Sequence, residues 1–218
     1  MSAGVSAAPA DLLPVAAVLP ELPPRLPRRR PDPAWLRALA RRLLRGWTWT
    51  GGFPDLDRLV VIAWPHTSNR DGFVGLAALV ELGLDLRAFG KKELFRPPTG
   101  GLLRFLGVIP VDRDAPGGVV PRAVERLRAG PFLLGLAPEG TRRRGTAWRT
   151  GWHRIAVEAG VPVAVVGLDW GRRRLGVLGT FVPTGDYEAD ARTAEALLDG
   201  VVGHTHANAT PALPPPAG

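Results

Sequence analysis

The sequence predicts an α/β fold of three layers, a mostly parallel mixed sheet flanked by helices, with an amphipathic helix in front of it. Two observations carry this. Between residues 34 and 202, short apolar runs rich in β-branched residues alternate with longer segments of helical period. Alternation of that kind buries a parallel sheet under helices on both faces. Hydrophobic residues make up 45% of the 218 and charged residues 22%, a composition from which one ordinary domain builds a core.

Residues 1–33 are rich in proline and alanine and end near Arg28-Arg29-Arg30-Pro31, the pattern of a disordered leader. Asp32 is positioned to cap a helix over 33–47. Its apolar residues Trp35, Leu36, Leu39, Ala40, Leu43, Leu44 and Trp47 recur at helical spacing, and Arg37, Arg41, Arg42 and Arg45 fill the remaining arc. A basic amphipathic helix with tryptophan at both ends suits a membrane interface; the same stripe equally suits packing on the domain. Residues 34–50 form this unit, and 51–204 form the domain proper.

Residues 59–64 are a buried strand by length and β-branching. Ser68 or Asn69 caps a helix reaching 82. A short strand over 86–90, a short helix over 99–106 and a strand over 108–111 follow. Residues 119–129 are an amphipathic helix with Val120, Val124 and Leu127 on one side and Arg122, Glu125 and Arg126 toward water. Then come a strand over 132–137, a helix over 150–159 and strands over 161–168 and 175–182. A last helix spans 188–202. Residues 205–218, ending in Pro-Pro-Pro-Ala-Gly, are expected as a loose tail.

Composition also excludes. With no cysteine, there are no disulfides, thiolate zinc sites, iron–sulfur clusters or cysteine nucleophiles. No metal site is expected: His153 reads as structural, and His204 and His206 alone make a poor one. The net charge is +8, so anionic partners are expected: phosphate groups, lipid headgroups or nucleic acid. Of the 28 basic residues only Lys91 and Lys92 are lysine. No apolar run reaches the ~20 residues of a spanning helix. Residues 1–20 lack the basic start of a secretory signal.

The chemistry concentrates where strands end. Residues 59–64 lead into Pro65-His66-Thr67-Ser68-Asn69-Arg70-Asp71-Gly72. If His66 lies in the loop and Asp71 in the first helical turn, the two can meet. The carboxylate then holds one imidazole nitrogen and raises the basicity of the other. Such a pair deprotonates a hydroxyl. In isolation the spacing reads first as a capping histidine at a strand end. It is not isolated. Gly90-Lys91-Lys92-Glu93-Leu94-Phe95 follows, then Gly107-Val108-Ile109-Pro110-Val111-Asp112-Arg113, Ala137-Pro138-Glu139-Gly140-Thr141-Arg142 and Val161-Pro162-Val163.

Four blocks at strand ends, in this order and spacing over residues 55–171, resemble the glycerolipid acyltransferase family, best known for 1-acylglycerol-3-phosphate acyltransferases. The resemblance implies an acyltransferase domain over 51–204, with His66 as general base and Asp71 as its orienter. Arg113, Glu139, Gly140, Thr141 and Arg142 would hold the acceptor headgroup, Lys91 would add a cation, and Pro162 would belong to the acyl-donor region. Arginine forks suit phosphate, and glycine permits close backbone approach. Glu139 would position Arg142 rather than meet a phosphate. Arg113 also suits a surface pair with Asp112 or Asp114, and Pro162 also suits a plain strand start. Arg70 departs from the aromatic residue many short relatives carry there.

The function so implied is O-acyl transfer from acyl-CoA or acyl carrier protein, a co-substrate rather than a resident cofactor, to the hydroxyl of a lysophospholipid. Lysophosphatidic acid is the default acceptor. The expected location is cytoplasmic, at the inner face of the cell membrane, with no nucleic-acid partner. The alternative is a non-catalytic basic protein that binds membranes or nucleic acid through its arginine clusters at 28–30, 142–144 and 172–174. A nucleotide-binding loop is rejected, because the glycines near Lys91 are wrongly spaced.

Overall fold

The computed structural model describes residues 13–14, 22–111 and 118–214. Among them the strands are β1 (Leu13–Pro14), β2 (Thr48–Thr50), β3 (Arg58–Trp64), β4 (Leu86–Lys91), β5 (Val108–Val111), β6 (Phe132–Leu136), β7 (Val163–Asp169) and β8 (Arg174–Phe181). The helices are α1 (Ala34–Leu43), α2 (Asn69–Leu82), α3 (Thr99–Phe105), α4 (Val119–Ala129), α5 (Gly151–Ala159) and α6 (Tyr187–Leu197). One sheet runs in the order β1-β2-β8-β7-β3-β6-β4-β5. β7, β3, β6, β4 and β5 are mutually parallel, and β8 runs antiparallel to β7. The sheet is therefore mixed and mostly parallel, as the alternation predicts.

The strand period sorts side chains between two cores. Leu59 and Val61 of β3 join Leu36, Ala40, Val74 and Ala77 from α1 and α2 on one face. Val60 and Ile62 join Val124 and Leu127 of α4, Ile155 of α5 and Ala191 of α6 on the other. Both faces of β3 are thus covered, which is why its sequence is a continuous apolar run. Among the described residues no helix is long and apolar enough to cross a membrane.

Three expectations change. Within the stretch read as leader, Leu22 and Leu26 are buried in the first core. Arg28 bridges to Leu84, and Arg29 pairs with Asp32 at 3.0 Å. Proline-rich composition concealed two leucines that find an apolar groove. The front unit is shorter than 34–50. The helix ends at Leu43, and Thr48–Thr50 pairs in parallel with β8, too short a strand to show a period. Residues 205–214 of the expected tail are packed, with Thr210 and Ala212 at most 1% exposed.

α1 divides its stripe between two faces. Leu36, Ala40 and Leu44 face the core, while Trp35, Leu39 and Leu43 are 64%, 46% and 45% exposed. Trp47 is not at an interface. It is buried and meets the Trp170 ring edge-on, with centroids 5.0 Å apart.

Candidate active site

Because β3, β4, β6 and β7 are parallel, the residues that follow them collect at one edge of the sheet, where ligands bind in such folds. His66 follows β3, Lys91 ends β4, Glu139 to Arg142 follow β6, and Trp170 follows β7. Arg113 lies outside the described residues. Lys91 is at the expected sheet edge by its backbone. Pro162 is not: it precedes β7 at the opposite, amino end, where its carbonyl accepts from the Val60 N–H at 3.1 Å. The parallel register that brings strand ends together holds strand starts away from them.

The loop between β3 and α2 is built by a capping box. Ser68 is the N-cap and accepts from the Arg70 N–H, and the Asp71 carboxylate caps in return. Asp71 Oδ2 accepts the N–H groups of Thr67 at 2.7 Å and Ser68 at 2.6 Å. Its Oδ1 accepts from the Trp170 indole N–H at 2.7 Å. Asp71 is 3% exposed, so its charge depends on these donors. The pairing expected from the sequence is corrected here. No Asp71 oxygen comes within 4.0 Å of a His66 ring nitrogen, because the helix cap and Trp170 occupy the carboxylate. The imidazole instead lies over the first turn of α2, with Cε1 3.8 Å from the point where a side chain on Gly72 would begin.

The surroundings of His66 favour its neutral form. Burial pushes its pKa down, the Arg142 charge pushes it further, and Asp71 partly opposes them. A neutral ring is the form that accepts a proton.

Glu139 also departs from its expected place. It is 2% exposed and turned away from solvent. Its Oε2 accepts the His66 backbone N–H at 2.6 Å, and its Oε1 accepts the Thr210 N–H at 3.4 Å. Burial, with help from the Asp71 charge, raises its pKa to about 7 against these two donors. It therefore braces the histidine loop rather than a headgroup or Arg142. Gly140 adopts φ +66°, and a Cβ there would lie 3.0 Å from Arg149 Cγ. Both the turn and the packing call for glycine. Thr141, Arg142, Arg143 and Arg144 are exposed at the rim, with the Arg143 N–H donating to Thr141 Oγ1.

Two contributors escaped the sequence reading. Trp170 locks Asp71 and packs on both Trp47 and His204, the latter at 4.6 Å between centroids. Thr210 ties Glu139 to the far end of the chain. Neither sits in a motif; only the strand order, which sets β7 beside β3, would have pointed to Trp170. His204 contacts Arg70 at 3.1 Å. Among the described residues no cluster of three or more His, Cys, Asp or Glu side chains is arranged to hold a metal ion.

Comparison with known proteins bears on the family and the fold. The family model described as Acyltransferase matches residues 52–169. The fold is similar to that of the 1-acyl-sn-glycerophosphate (LPA) acyltransferase PlsC from Thermotoga maritima. The identity is 20% and the TM-score 0.55, over 75% of this chain and 75% of that one. No curated protein matches the sequence. Since the family model spans more than half of the 218 residues and contains the whole loop that carries His66 and Asp71, the chain belongs to the acyltransferase family.

Proposed function

We propose that this acyltransferase moves a fatty acyl group from acyl-CoA or acyl carrier protein to the hydroxyl of a lysophospholipid, with lysophosphatidic acid as the default acceptor. The observation that carries the reading is the place of His66 in the loop at the carboxyl end of β3, its ring over the first turn of α2 and near the exposed, positively charged Arg142. His66 takes the proton of the acceptor hydroxyl, and the oxygen attacks the thioester carbonyl carbon. A carbon–oxygen bond forms, the tetrahedral intermediate collapses, and the carbon–sulfur bond breaks. The imidazolium returns its proton to the departing thiolate. Asp71 favours the imidazolium through its charge and shapes the loop through its hydrogen bonds, without touching the ring. Arg142 takes the acceptor phosphate, with Arg113 and Lys91 as further cations. No resident cofactor enters the scheme. The test is thiol release from palmitoyl-CoA with lysophosphatidic acid; salt-sensitive binding without turnover would instead favour the non-catalytic reading.

The scheme dictates a pH profile. The acid limb of kcat/KM reports the free enzyme's base, so it is expected below pH 6.5, the ordinary histidine value. Removing the Arg142 charge relieves a push toward the neutral ring, so Arg142→Gln moves the limb to higher pH. Asp71→Asn removes the opposing influence and moves it lower. Measured pH–rate profiles that shift the other way, or not at all, remove His66 from the role of base.

We also infer that α1 docks the enzyme on the inner face of the cell membrane. Trp35, Leu39 and Leu43 form an outward stripe, and Arg37, Arg42 and Arg45 are exposed around it. Arg29 lies over the Phe105 ring of α3 at 5.5 Å, which brings that exposed aromatic beside the start of α1. Each arginine near an anionic surface contributes roughly 1 kcal/mol, enough together with the stripe for reversible binding. In flotation assays the protein is expected to float with phosphatidylglycerol vesicles and not with phosphatidylcholine alone. Trp35→Ser combined with Leu39→Ser and Leu43→Ser is expected to abolish flotation; retention of binding would place the membrane contact elsewhere.

A further inference from the structure

The segment from Gly203 to Thr210 lies outside the residues the family model matches, yet it runs directly over the candidate site. Gly203 packs so closely that a Cβ there would lie 2.8 Å from Pro65 and 2.9 Å from the Thr67 methyl. The Thr205 N–H donates to Thr67 Oγ1 at 3.1 Å, and the Asn208 side-chain amide donates to the Thr67 carbonyl at 3.2 Å. Thr67 Oγ1 in turn faces Asp71 Oδ2 at 3.3 Å.

Thr210 anchors the far end of the segment. Its N–H meets Glu139, and its hydroxyl oxygen accepts the Gly145 N–H at 2.9 Å. Its carbonyl accepts both the Trp64 and Trp148 indole N–H groups, at 3.1 and 2.9 Å. Thr210 is 1% exposed and Thr67 2%. These bonds therefore form away from competing water, where leaving one unmade is costly. Both neighbours of His66 are thereby held by one segment: Thr67 in the chain, and Glu139, which accepts the His66 N–H.

We propose that residues 203–210 are a strap that positions His66, with Asn208 and Thr210 as positioning residues that act through Thr67 and Glu139. The proposal rests on the reading of His66 as base, and it adds a device drawn from residues beyond the matched family domain. A base must sit within hydrogen-bond reach of the hydroxyl it deprotonates. Displacements of about 1 Å at such a centre cost on the order of 10²-fold in rate. Holding a loop residue by three separate elements is a means of preventing that drift. The strap touches neither an acceptor nor a donor in this scheme, so its loss acts on kcat and spares KM.

The experiment compares the purified full chain with Asn208→Ala, Thr67→Val and Thr67→Ser. Acyl transfer from palmitoyl-CoA to lysophosphatidic acid is measured alongside amide hydrogen exchange at His66 and NMR titration of its ring. Asn208→Ala and Thr67→Val are expected to lower kcat roughly tenfold or more, with KM for both substrates within about twofold. The His66 amide is expected to exchange at least about tenfold faster, as a loop opening locally does, and its ring to titrate closer to the ordinary histidine range as solvent reaches it. Thr67→Ser keeps the oxygen and is expected to behave like the parent. Unchanged exchange and titration in both folded variants overturn the strap, whatever kcat does. Faster exchange with kcat unaltered overturns it as well, because the loop's order then has no bearing on the base. Should the parent transfer no acyl group, the reading of function falls, while exchange and titration still decide whether the strap holds His66.

Discussion

Replacing His66 by alanine is expected to lower kcat by roughly 10²–10⁴-fold, the usual worth of a general base, and to leave the fold intact. The two expectations come from different atoms of one residue. The backbone N–H that Glu139 accepts at 2.6 Å is retained in the variant, as is the capping box of α2, which His66 does not enter. Only the ring is lost, and the ring is only partly buried. KM for the acceptor is expected to change little, since Arg142 stays at the rim. Thiol release under saturating substrates and a thermal melt check both halves. Turnover within threefold of the parent would mean that the hydroxyl is deprotonated without the imidazole, and the scheme would fail.

His153→Ala is expected to do the reverse: destabilise strongly, with little effect on the chemistry of the molecules that remain folded. His153 Nε2 lies 2.8 Å from Asp190 Oδ2, and the two residues are 6% and 1% exposed. The pair ties α5 to α6, and the Thr184 N–H and hydroxyl complete the acceptor positions of Asp190. Removing one partner leaves a buried carboxylate short of a donor, which costs about 3–5 kcal/mol. For a chain of this size each kcal/mol lowers Tm by about 2–4 °C, so the loss is easily measured by calorimetry. The edge contacts of the ring with Trp152 and Tyr187 go as well.

Acid should weaken the same tie. Burial pushes the Asp190 pKa up, but the Thr184 donors and His153 outweigh it, and the net direction is down. A depressed carboxyl contributes stability above its unfolded value of 3.8 and loses it as pH falls through the folded value. Asp190→Asn is expected to flatten that part of the stability–pH curve. A His153→Ala protein as stable as the parent would show that α5 and α6 are joined by apolar contacts alone.

These two histidines mark how far local pattern reaches. His66 was legible because it ends an apolar β-branched run and precedes a capped helix, so its loop position follows from neighbours in the chain. Asp71 was legible as a residue of the first helical turn for the same reason. Its partners were not, since the expected ring contact gave way to the Ser68 cap and to Trp170, which is brought in by the pairing of β7 with β3. Glu139 is expected in the headgroup block, beside Arg142, because the family resemblance implies it. Its burial is a consequence of the loop after β6 folding inward against the histidine loop and the strap.

Pattern failed where composition and environment disagree. Leu22 and Leu26 sit among prolines and arginines that speak for disorder, yet each fills a place in a core formed by residues far along the chain. The last residues read as loose because proline and small residues lack a period, and their order comes from backbone groups of 205–210 that side chains and loops elsewhere satisfy.

The amino-acid sequence by itself determined the order and type of the strands and helices from β3 onward, the capped turn that carries His66 and Asp71, and the cationic loop after β6. Each of these depends on period, capping and turn chemistry among residues close in the chain. The tertiary structure alone decided which groups hold that turn: Trp170 on Asp71, Glu139 on the His66 backbone, and residues 203–210 over both. Such contacts join residues from about 70 to about 140 positions apart, so they follow from strand order and burial, which no local period encodes.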